Sequence, residues 1–257
     1  MEKIKYLKYI VKKLEEFLTI QTKKPNELLD KSLGSQKGQV EFLINNFFNY
    51  EKNGLKKRGY FVDLACGDGV KFSNTYFLEQ YLDWNGVLIE PNPKFTENIK
   101  SSRTSQFVDY CIGDQDNKEV QFRIDNLMLG GIIGESFDNN SRYRAHELEN
   151  AEIIKIKTRT LSSVLDEVNS PKTIDYLSLD VEGAEEFILS NFNFKKYKFK
   201  FMSIERPSKK LDIILDENNY VQINHLKTEV YYCHRENLKD VNLSPKLKFQ
   251  VTSQKDW

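Results

Sequence analysis

FVDLACGDG, residues 61–69, reads as an apolar strand that runs directly into a glycine turn. The apolar run ends at Asp63, and Gly67 and Gly69 then allow the backbone to turn sharply towards a ligand. A helical pattern follows from about residue 72. A glycine turn between a strand and a helix is the usual place for an adenosine-containing cofactor at the carboxyl edge of a sheet. G-x-G alone is a weak signal, because an ordinary turn in an α/β protein also explains it.

Short apolar runs alternate with helical patterns on the carboxyl side of this turn. The predicted strands include GVLIEPN, FVDYCIG, DYLSLDVEG and KFMSIERP, and TLSSVLDEV (160–168) is a predicted helix capped by Thr160. This alternation predicts right-handed βαβ crossovers and a parallel sheet. YVQINHL (220–226) and EVYYCHR (229–235) predict a closing hairpin. We therefore predict an α/β fold with a doubly wound, mostly parallel sheet and an antiparallel C-terminal hairpin.

The length of 257 residues fits one elaborated α/β domain. We predict an N-terminal helical extension over residues 1–50 and a Rossmann-like domain over residues 51–257, with an insertion at about 119–160. Within the extension, residues 1–20 form a basic amphipathic pattern. Such a helix either caps the core or pairs in a homodimer, and peripheral docking on an anionic membrane surface is the alternative.

Composition excludes several classes of function. Lys+Arg and Asp+Glu each number 38, so the net charge of zero gives no general attraction to nucleic acid. No apolar run approaches the ~20 residues that span a bilayer, and the N-terminus lacks a signal-peptide pattern. Cys66, Cys111 and Cys233 form neither a zinc pattern nor an evident disulfide framework. We expect a reduced cytoplasmic protein with no transmembrane segment and no nucleic-acid partner.

Charge near the glycine turn indicates which cofactor binds. Glu90 ends the strand GVLIE, where a carboxylate can accept both ribose hydroxyls of an adenosine. The dinucleotide fingerprint requires a small residue where this chain has Phe72. Asp63 and Asp68 would repel a pyrophosphate, but they suit a cofactor that carries an ammonium and a sulfonium. The pattern favours S-adenosylmethionine over a nicotinamide dinucleotide.

Other cofactor contacts are predicted around this turn. Gly113 and Asp114 lie where an adenine edge is expected, with an ordinary loop as the alternative for Asp114. Ser73 and Asn74 begin the following helix and either bind the carboxylate of the methionine part or cap the helix. The predicted cofactor-binding residues are Asp63, Ala65, Gly67, Gly69, Ser73, Asn74, Glu90, Asn92, Gly113, Asp114 and Asp180.

Methyl transfer to a hydroxyl requires removal of a proton, so a base or a metal is expected. Asp180 and Glu182 of LDVEGAE share a face if the strand extends through them, and Glu205 ends the neighbouring strand. Together they are candidates for a catalytic base, a hydroxyl-binding pair or the oxygen ligands of a divalent cation. The alternatives are a structural strand-end acid at Asp180, a helix N-terminal acid at Glu182 and a surface ion pair with Arg206 at Glu205.

His146, in the insertion, is a further candidate base, whereas His225 and His234 lie too far apart in sequence to suggest a metal cluster. The glycine-rich stretch LGGIIG (129–134) is predicted to act as a flexible lid over the site, with a surface excursion as the alternative. Arg142, Tyr143 and Arg144 follow this stretch and are placed to meet an acceptor.

These motifs, together with SQKGQVEFLINNFF, DWNGVLIEPNP and IDYLSLDVEGAEEFIL, resemble the FkbM-type methyltransferase family over roughly residues 35–205. The resemblance implies a class I methyltransferase fold with a seven-stranded sheet. It also implies O-methylation of a hydroxyl on a sugar, a glycan or a small polyol-like metabolite. One departure is the turn itself, which reads ACGDG where the family commonly reads GANDG, so a side-chain amide contact is absent.

The predicted function is therefore S-adenosylmethionine-dependent O-methyl transfer to such an acceptor. A non-catalytic adenosyl-binding or assembly module is one alternative, because the altered turn could mark lost activity. A NAD-type oxidoreductase is the other. Methylation of nucleic-acid bases is disfavoured, because residues 180–183 read D-V-E-G rather than D/N-P-P-Y.

Overall fold

The structure is a computed structural model that describes residues 39–46 and 58–241, and the predicted basic helix within residues 1–20 lies outside these ranges. The strands are β1 Tyr60–Leu64, β2 Asn85–Ile89, β3 Gln106–Val108, β4 Cys111–Gly113, β5 Glu119–Arg123, β6 Gly131–Ile132, β7 Ile153–Thr160, β8 Thr173–Leu179, β9 Lys198–Glu205, β10 Tyr220–Leu226 and β11 Glu229–His234. The α-helices are α1 Gln39–Asn46, α2 Tyr76–Leu82, α3 Thr96–Ser102, α4 Ser141–Leu148, α5 Leu161–Glu167, α6 Glu185–Leu189 and α7 Lys209–Glu217.

Seven strands form the main sheet in the order β10-β11-β9-β8-β1-β2-β3. The strands β1, β2, β3, β8 and β9 are parallel, while β11 runs antiparallel to both β9 and β10. The winding reverses between β1 and β8, and ligands of open α/β sheets bind at such a switch point. This topology confirms the predicted class I fold, with its mostly parallel seven-stranded sheet and closing hairpin.

Helices cover both faces of the main sheet. Val62 and Leu64 of β1 pack into one apolar core with α5, α6 and α7. Phe61 points to the opposite face, where a second core includes side chains of α1, α2 and α3. Successive residues of a strand face opposite sides, so burial on both sides explains the almost continuous apolar sequence of β1 and β8.

A second, four-stranded sheet has the order β4-β7-β5-β6, with β5, β6 and β7 within residues 119–160 and β4 before them. The run FVDYCIG, predicted as one strand, is divided between the two sheets. Its first part, β3, pairs with β2, and its last part, β4, pairs with β7. The break falls at Asp109 and Tyr110, where the chain leaves the edge of the main sheet.

Two predicted helix starts can be compared with the structure. The cap of α5 is confirmed, because Thr160 Oγ1 accepts from the amide of Ser163 at 3.2 Å. The helix after the glycine turn begins at Tyr76 rather than at residue 72, because Phe72 has a φ of 62° and cannot be helical. No helix within the described ranges is long and apolar enough to cross a membrane.

Candidate active site

The glycine turn leaves the carboxyl end of β1 in left-handed backbone conformations. Ala65, Gly67 and Gly69 have φ values of 63°, 56° and 81°. The turn folds back on β2, since the amide of Ala65 donates to the carbonyl of Ile89 at 2.9 Å. A Cβ on Gly67 would lie 2.3 Å from Sδ of Met128. Met128 therefore fills the space that the asparagine side chain of the common family turn would need.

Arg103 supports the glycine turn with its side chain, and the sequence analysis did not identify this residue. Its side chain is fully buried and donates to the carbonyl of Gly69 at 2.7 Å and to Thr75 Oγ1 at 2.9 Å. Asp63 accepts from Thr75 Oγ1 and from Ser73 Oγ. Burial raises the pKa of Asp63, and the charge of Arg103 opposes that rise. Asp63 therefore helps to hold the turn together, besides lining the cavity.

Glu90 follows β2 and lies beside the turn. Its Oε2 accepts from the amide of Gly67 at 3.0 Å, and its Oε1 accepts from the amide of Asn92 at 2.9 Å. The residue is only 5% exposed, and burial raises its pKa to about 7 against the effect of both hydrogen bonds. A buried carboxylate is thus held at the wall of the cavity, as the sequence predicts for a ribose-binding acid.

The structure separates the remaining adenosine candidates. Asn92 lines the cavity, but its side chain is engaged on both sides, by the amide of Lys94 and the carbonyl of Ile124. Gly113 and Asp114 do not line it, and Asp114 pairs with Lys118 instead. The preceding residues Tyr110, Cys111 and Ile112 form that part of the wall.

Ser73 and Asn74 both line the cavity, yet they differ in what they offer a ligand. Ser73 Oγ accepts from the amide of Tyr76 at 3.0 Å, while the N-cap of α2 is Thr75, which makes no side-chain capping hydrogen bond. Asn74 donates from Nδ2 to Ser178 Oγ at 3.2 Å, while its buried Oδ1 has no hydrogen-bond partner. The Ser73 hydroxyl is therefore engaged with the backbone that leads into α2, whereas Asn74 keeps a free acceptor.

Two carboxyl groups meet at the ends of β8 and β9. The parallel ladder pairs Leu179 with Ile204, so the next residues, Asp180 and Glu205, lie side by side. Asp180 hydrogen-bonds to Glu205, and its Oδ1 is buried without a partner. Burial, reinforced by the neighbouring carboxylates of Glu205 and Glu229, holds the pKa of Asp180 well above its usual value. Burial therefore favours the neutral form of the Asp180 carboxyl.

Arg206 links this carboxyl pair to Asp138. Its guanidinium donates to Glu205 Oε2 from Nε at 3.1 Å and from Nη2 at 2.9 Å, and it also pairs with Asp138. Glu182 Oε2 lies 3.7 Å from the same guanidinium. Burial and contact with Asp138 raise the pKa of Glu182 to about 7. The carboxylates predicted at 180, 182 and 205 thus converge beside Arg206, and Arg144 Nη2 lies 3.9 Å from Glu182 Oε2.

Glu185 and His146 do not join this group. Glu185 is buried, does not line the cavity, and accepts from the amides of Val181 and Gly183, which fixes the turn before α6. The side chain of His146 is 97% exposed on α4 and lies 3.5 Å from Glu149. The structure therefore does not bring His146 to the predicted acceptor site.

The glycine-rich stretch forms one wall of the cavity through residues 128–132. Two of these residues are β6, which pairs with β5. Asp138 holds the segment to the main sheet, because its amide donates to the carbonyl of Glu182 at 3.0 Å and its carboxylate pairs with Arg206. Arg144 Nη1 lies 3.3 Å from Asn139 Oδ1 within the same segment.

These groups enclose a cavity of about 330 Å³. Among the described residues, one basic residue, Lys71, lines it, together with five acidic residues, which are Asp63, Glu90, Asp180, Glu182 and Glu205. In residues 39–46 and 58–241, no three histidine, cysteine or acidic side chains are arranged to hold a metal ion. The converging carboxylates are thus not arranged as a set of metal ligands.

Comparison with solved structures finds several methyltransferases. The chain is similar to precorrin-6y C5,15-methyltransferase from Geobacter metallireducens GS-15, with 11% identity, 79% of this chain and 94% of that chain covered, and a TM-score of 0.39. It is also similar to the METTL16 methyltransferase domain, with 14% identity, 75% of this chain and 62% of that chain covered, and a TM-score of 0.37. A third similar structure is M. capricolum TrmK in complex with S-adenosyl-homocysteine, with 15% identity, 76% of this chain and 65% of that chain covered, and a TM-score of 0.35. No curated protein matches the sequence.

The family comparison is more specific. The methyltransferase FkbM domain matches residues 63–222, which is more than half of the chain. The matched range starts at Asp63 and contains the glycine turn, Glu90, Asp180 and Glu205, which all contribute to the cavity. It confirms the resemblance carried by the sequence motifs. The chain belongs to the FkbM family of S-adenosylmethionine-dependent methyltransferases.

Proposed function

We propose that the protein transfers the methyl group of S-adenosylmethionine to a hydroxyl oxygen of a sugar, a glycan or a small polyol-like metabolite in the cytoplasm. The observation that supports this acceptor class is the partly buried Asp180–Glu205 pair, in which the buried Asp180 Oδ1 has no hydrogen-bond partner. An alcohol is a poor nucleophile near neutral pH, so a group that accepts its proton is needed.

The residues of the cavity fit the cofactor. S-adenosylmethionine carries a sulfonium and an ammonium, and five acidic residues but one lysine line the cavity. The same excess of acid would repel the pyrophosphate of a nicotinamide dinucleotide. Glu90 is placed to accept from the ribose hydroxyls, and the backbone of the turn at Ala65 and Gly67 would lie against the cofactor. When bound, S-adenosylmethionine supplies a methyl group on a positively charged sulfur, which departs as a neutral thioether.

The part of Asp180 is to take the proton of the acceptor. Its free Oδ1 can accept a hydrogen bond from the hydroxyl, while its other oxygen is engaged with Glu205. The hydroxyl proton is taken up by the carboxyl pair as the oxygen bonds to the methyl carbon and the carbon–sulfur bond breaks. Arg206 keeps Glu205 oriented through its two hydrogen bonds. The pair thus gains one proton without leaving two adjacent charges buried.

The altered turn does not favour the alternative of a degenerate binding module. Gly67 still donates to Glu90, and Met128 occupies the space left by the missing side chain. A cavity lined by both the turn and the carboxyl pair is therefore retained.

The test is transfer of labelled methyl groups from S-adenosylmethionine to a panel of sugars, polyols, amines and oligonucleotides. Transfer to a sugar or polyol is expected, and Asp180→Asn should lower kcat by about 10²-fold or more while S-adenosylhomocysteine still binds. Asp216→Asn, an exposed change on α7, is the matched control and should have no effect.

Each contrary result has a distinct meaning. Transfer to amines alone would overturn the hydroxyl assignment, and full activity in Asp180→Asn would remove Asp180 from the reaction. Tight binding of the cofactor with no transfer to any acceptor would support the non-catalytic module instead.

A further inference from the structure

Gln39, the first residue of α1, reaches into the cavity although it precedes the matched family domain. Its side chain is 4% exposed, and its Oε1 has no hydrogen-bond partner. Leaving a buried polar group unpaired is unfavourable. A ligand that donates a hydrogen bond to Gln39 would remove this cost.

Asn74 presents a second atom of the same kind, and its neighbours fix its orientation. Ser178 donates to the carboxylate of Asp63, which can only accept when ionised. Ser178 Oγ must therefore accept from Asn74, and the donor is Nδ2 at 3.2 Å. Asn74 Oδ1 is left for the cavity, buried and unpartnered.

A carbonyl oxygen selects among the charged groups of the cofactor. Two unpartnered amide oxygens in one cavity would repel the carboxylate of the methionine part and attract its ammonium, which has three N–H donors and no acceptor. The basic side chain that lines the cavity, Lys71, is the natural partner for the carboxylate. The acceptor hydroxyl has its own partner in Asp180.

We propose that Gln39 and Asn74 together bind the ammonium of the methionine part of S-adenosylmethionine, so that the N-terminal helix contributes directly to the cofactor site. This assignment rests on the proposed function. It also changes the predicted role of Asn74, which the sequence placed against the carboxylate. The buried face of α1 then has two tasks, since Val40, Leu43 and Ile44 pack into the core while Gln39 contacts the ligand.

The test compares two ligands that share the adenosine and the thioether. S-adenosylhomocysteine has the amino-acid part, whereas 5′-methylthioadenosine lacks it. Gln39→Leu is expected to weaken the binding of S-adenosylhomocysteine by about 10- to 100-fold, because one hydrogen bond to a charged group is lost. The affinity for 5′-methylthioadenosine should stay unchanged. Gln39→Glu, which keeps an acceptor oxygen, should restore the binding. Both affinities are measured by calorimetry.

Gln121→Leu, on the exposed face of β5 and outside the cavity, is the matched control. Equal losses for both ligands would show that Gln39 acts through the fold and would overturn the assignment. Unchanged binding of S-adenosylhomocysteine in Gln39→Leu would overturn it as well. If the wild-type protein binds neither ligand, the proposed function itself fails, and this assignment fails with it.

Discussion

Arg103 and Glu79 form an ion pair with both side chains almost wholly shielded from solvent, with 3.0 Å between Nε of the arginine and Oε2 of the glutamate. The other guanidinium nitrogens of Arg103 reach the carbonyl of Gly69 and Thr75 Oγ1. Arg103, which directly follows α3, therefore holds both the glycine turn and the start of α2 in place.

Replacing Arg103 should destabilise the protein strongly. Arg103→Met leaves the carboxylate of Glu79 buried without its partner, and we expect a loss of about 3–5 kcal/mol in the free energy of unfolding. Arg58→Met is the matched control, because Arg58 pairs with Asp83 at 3.1 Å with side chains that are 84% and 73% exposed. That change should cost less than about 1 kcal/mol. Urea denaturation measures both, and equal small losses would contradict the supporting role of Arg103.

The affinity for S-adenosylhomocysteine should rise with pH up to neutrality. Burial raises the pKa of Glu90 to about 7, and ribose hydroxyls donate better to the ionised carboxylate. Below that pH, affinity should increase by up to about tenfold per pH unit, and above it the affinity should level off. Glu90→Gln should remove this dependence.

Glu185→Gln is the control for this measurement. Burial also raises the pKa of Glu185 to about 7, but Glu185 does not line the cavity. Its replacement should leave the pH profile of binding unchanged. If the pH profile of binding flattened equally in both variants, the pH dependence would come from a general change in the fold and not from the ionisation of Glu90.

Glu185 should instead appear in the pH dependence of stability. Its folded pKa lies above the ordinary value of 4.5, so the native state binds the proton more tightly than the unfolded chain does. The resulting stabilisation is complete below about pH 4.5 and is lost as pH rises to about 7. Wild type relative to Glu185→Gln should lose about 3 kcal/mol across this window. Parallel curves for the two proteins, from urea denaturation at several pH values, would contradict the shift.

Gly67 and Met128 should be coupled energetically. In Gly67→Ala the new Cβ would lie 2.3 Å from Met128 Sδ at a φ of 56°, so both a clash and about 1 kcal/mol of backbone strain are expected. Met128→Ala should relieve the clash but not the strain, which gives a coupling of about 0.5–3 kcal/mol in a double-mutant cycle. Leu129→Ala, a change at the exposed neighbouring residue, should be additive with Gly67→Ala. If the effects of Gly67→Ala and Met128→Ala on the free energy of unfolding were additive, the glycine turn would be able to move away from Met128 without cost.

The sequence predicted the features that depend on local pattern. The strand–turn–helix around Asp63, the acid at Glu90 and the cap at Thr160 each follow from a short stretch of chain. The convergence of Asp180 and Glu205 was predictable too, because the ends of neighbouring parallel strands meet at one edge of a sheet.

Features that depend on distant packing were not predictable. Nothing near Arg103 shows that it will be buried beneath a turn that begins far earlier in the chain. Asp114 follows a strand as expected, but that strand belongs to the second sheet, and its carboxylate pairs with Lys118. Gln39 lies in the predicted helical extension, and only the packing of α1 decides that its side chain enters the cavity.

The separation of the two sheets has a consequence for how this enzyme can evolve. The glycine turn, Glu90 and the carboxyl pair follow strands of the main sheet, whereas β6, in the wall at residues 128–132, belongs to the second sheet. No strand of the described chain is shared by both. Under the proposed function, exchange of the segment 119–160 between relatives would change the wall at residues 128–132 while the glycine turn, Glu90 and the carboxyl pair keep the strands that position them, so one continuous stretch of gene sets the shape of that wall.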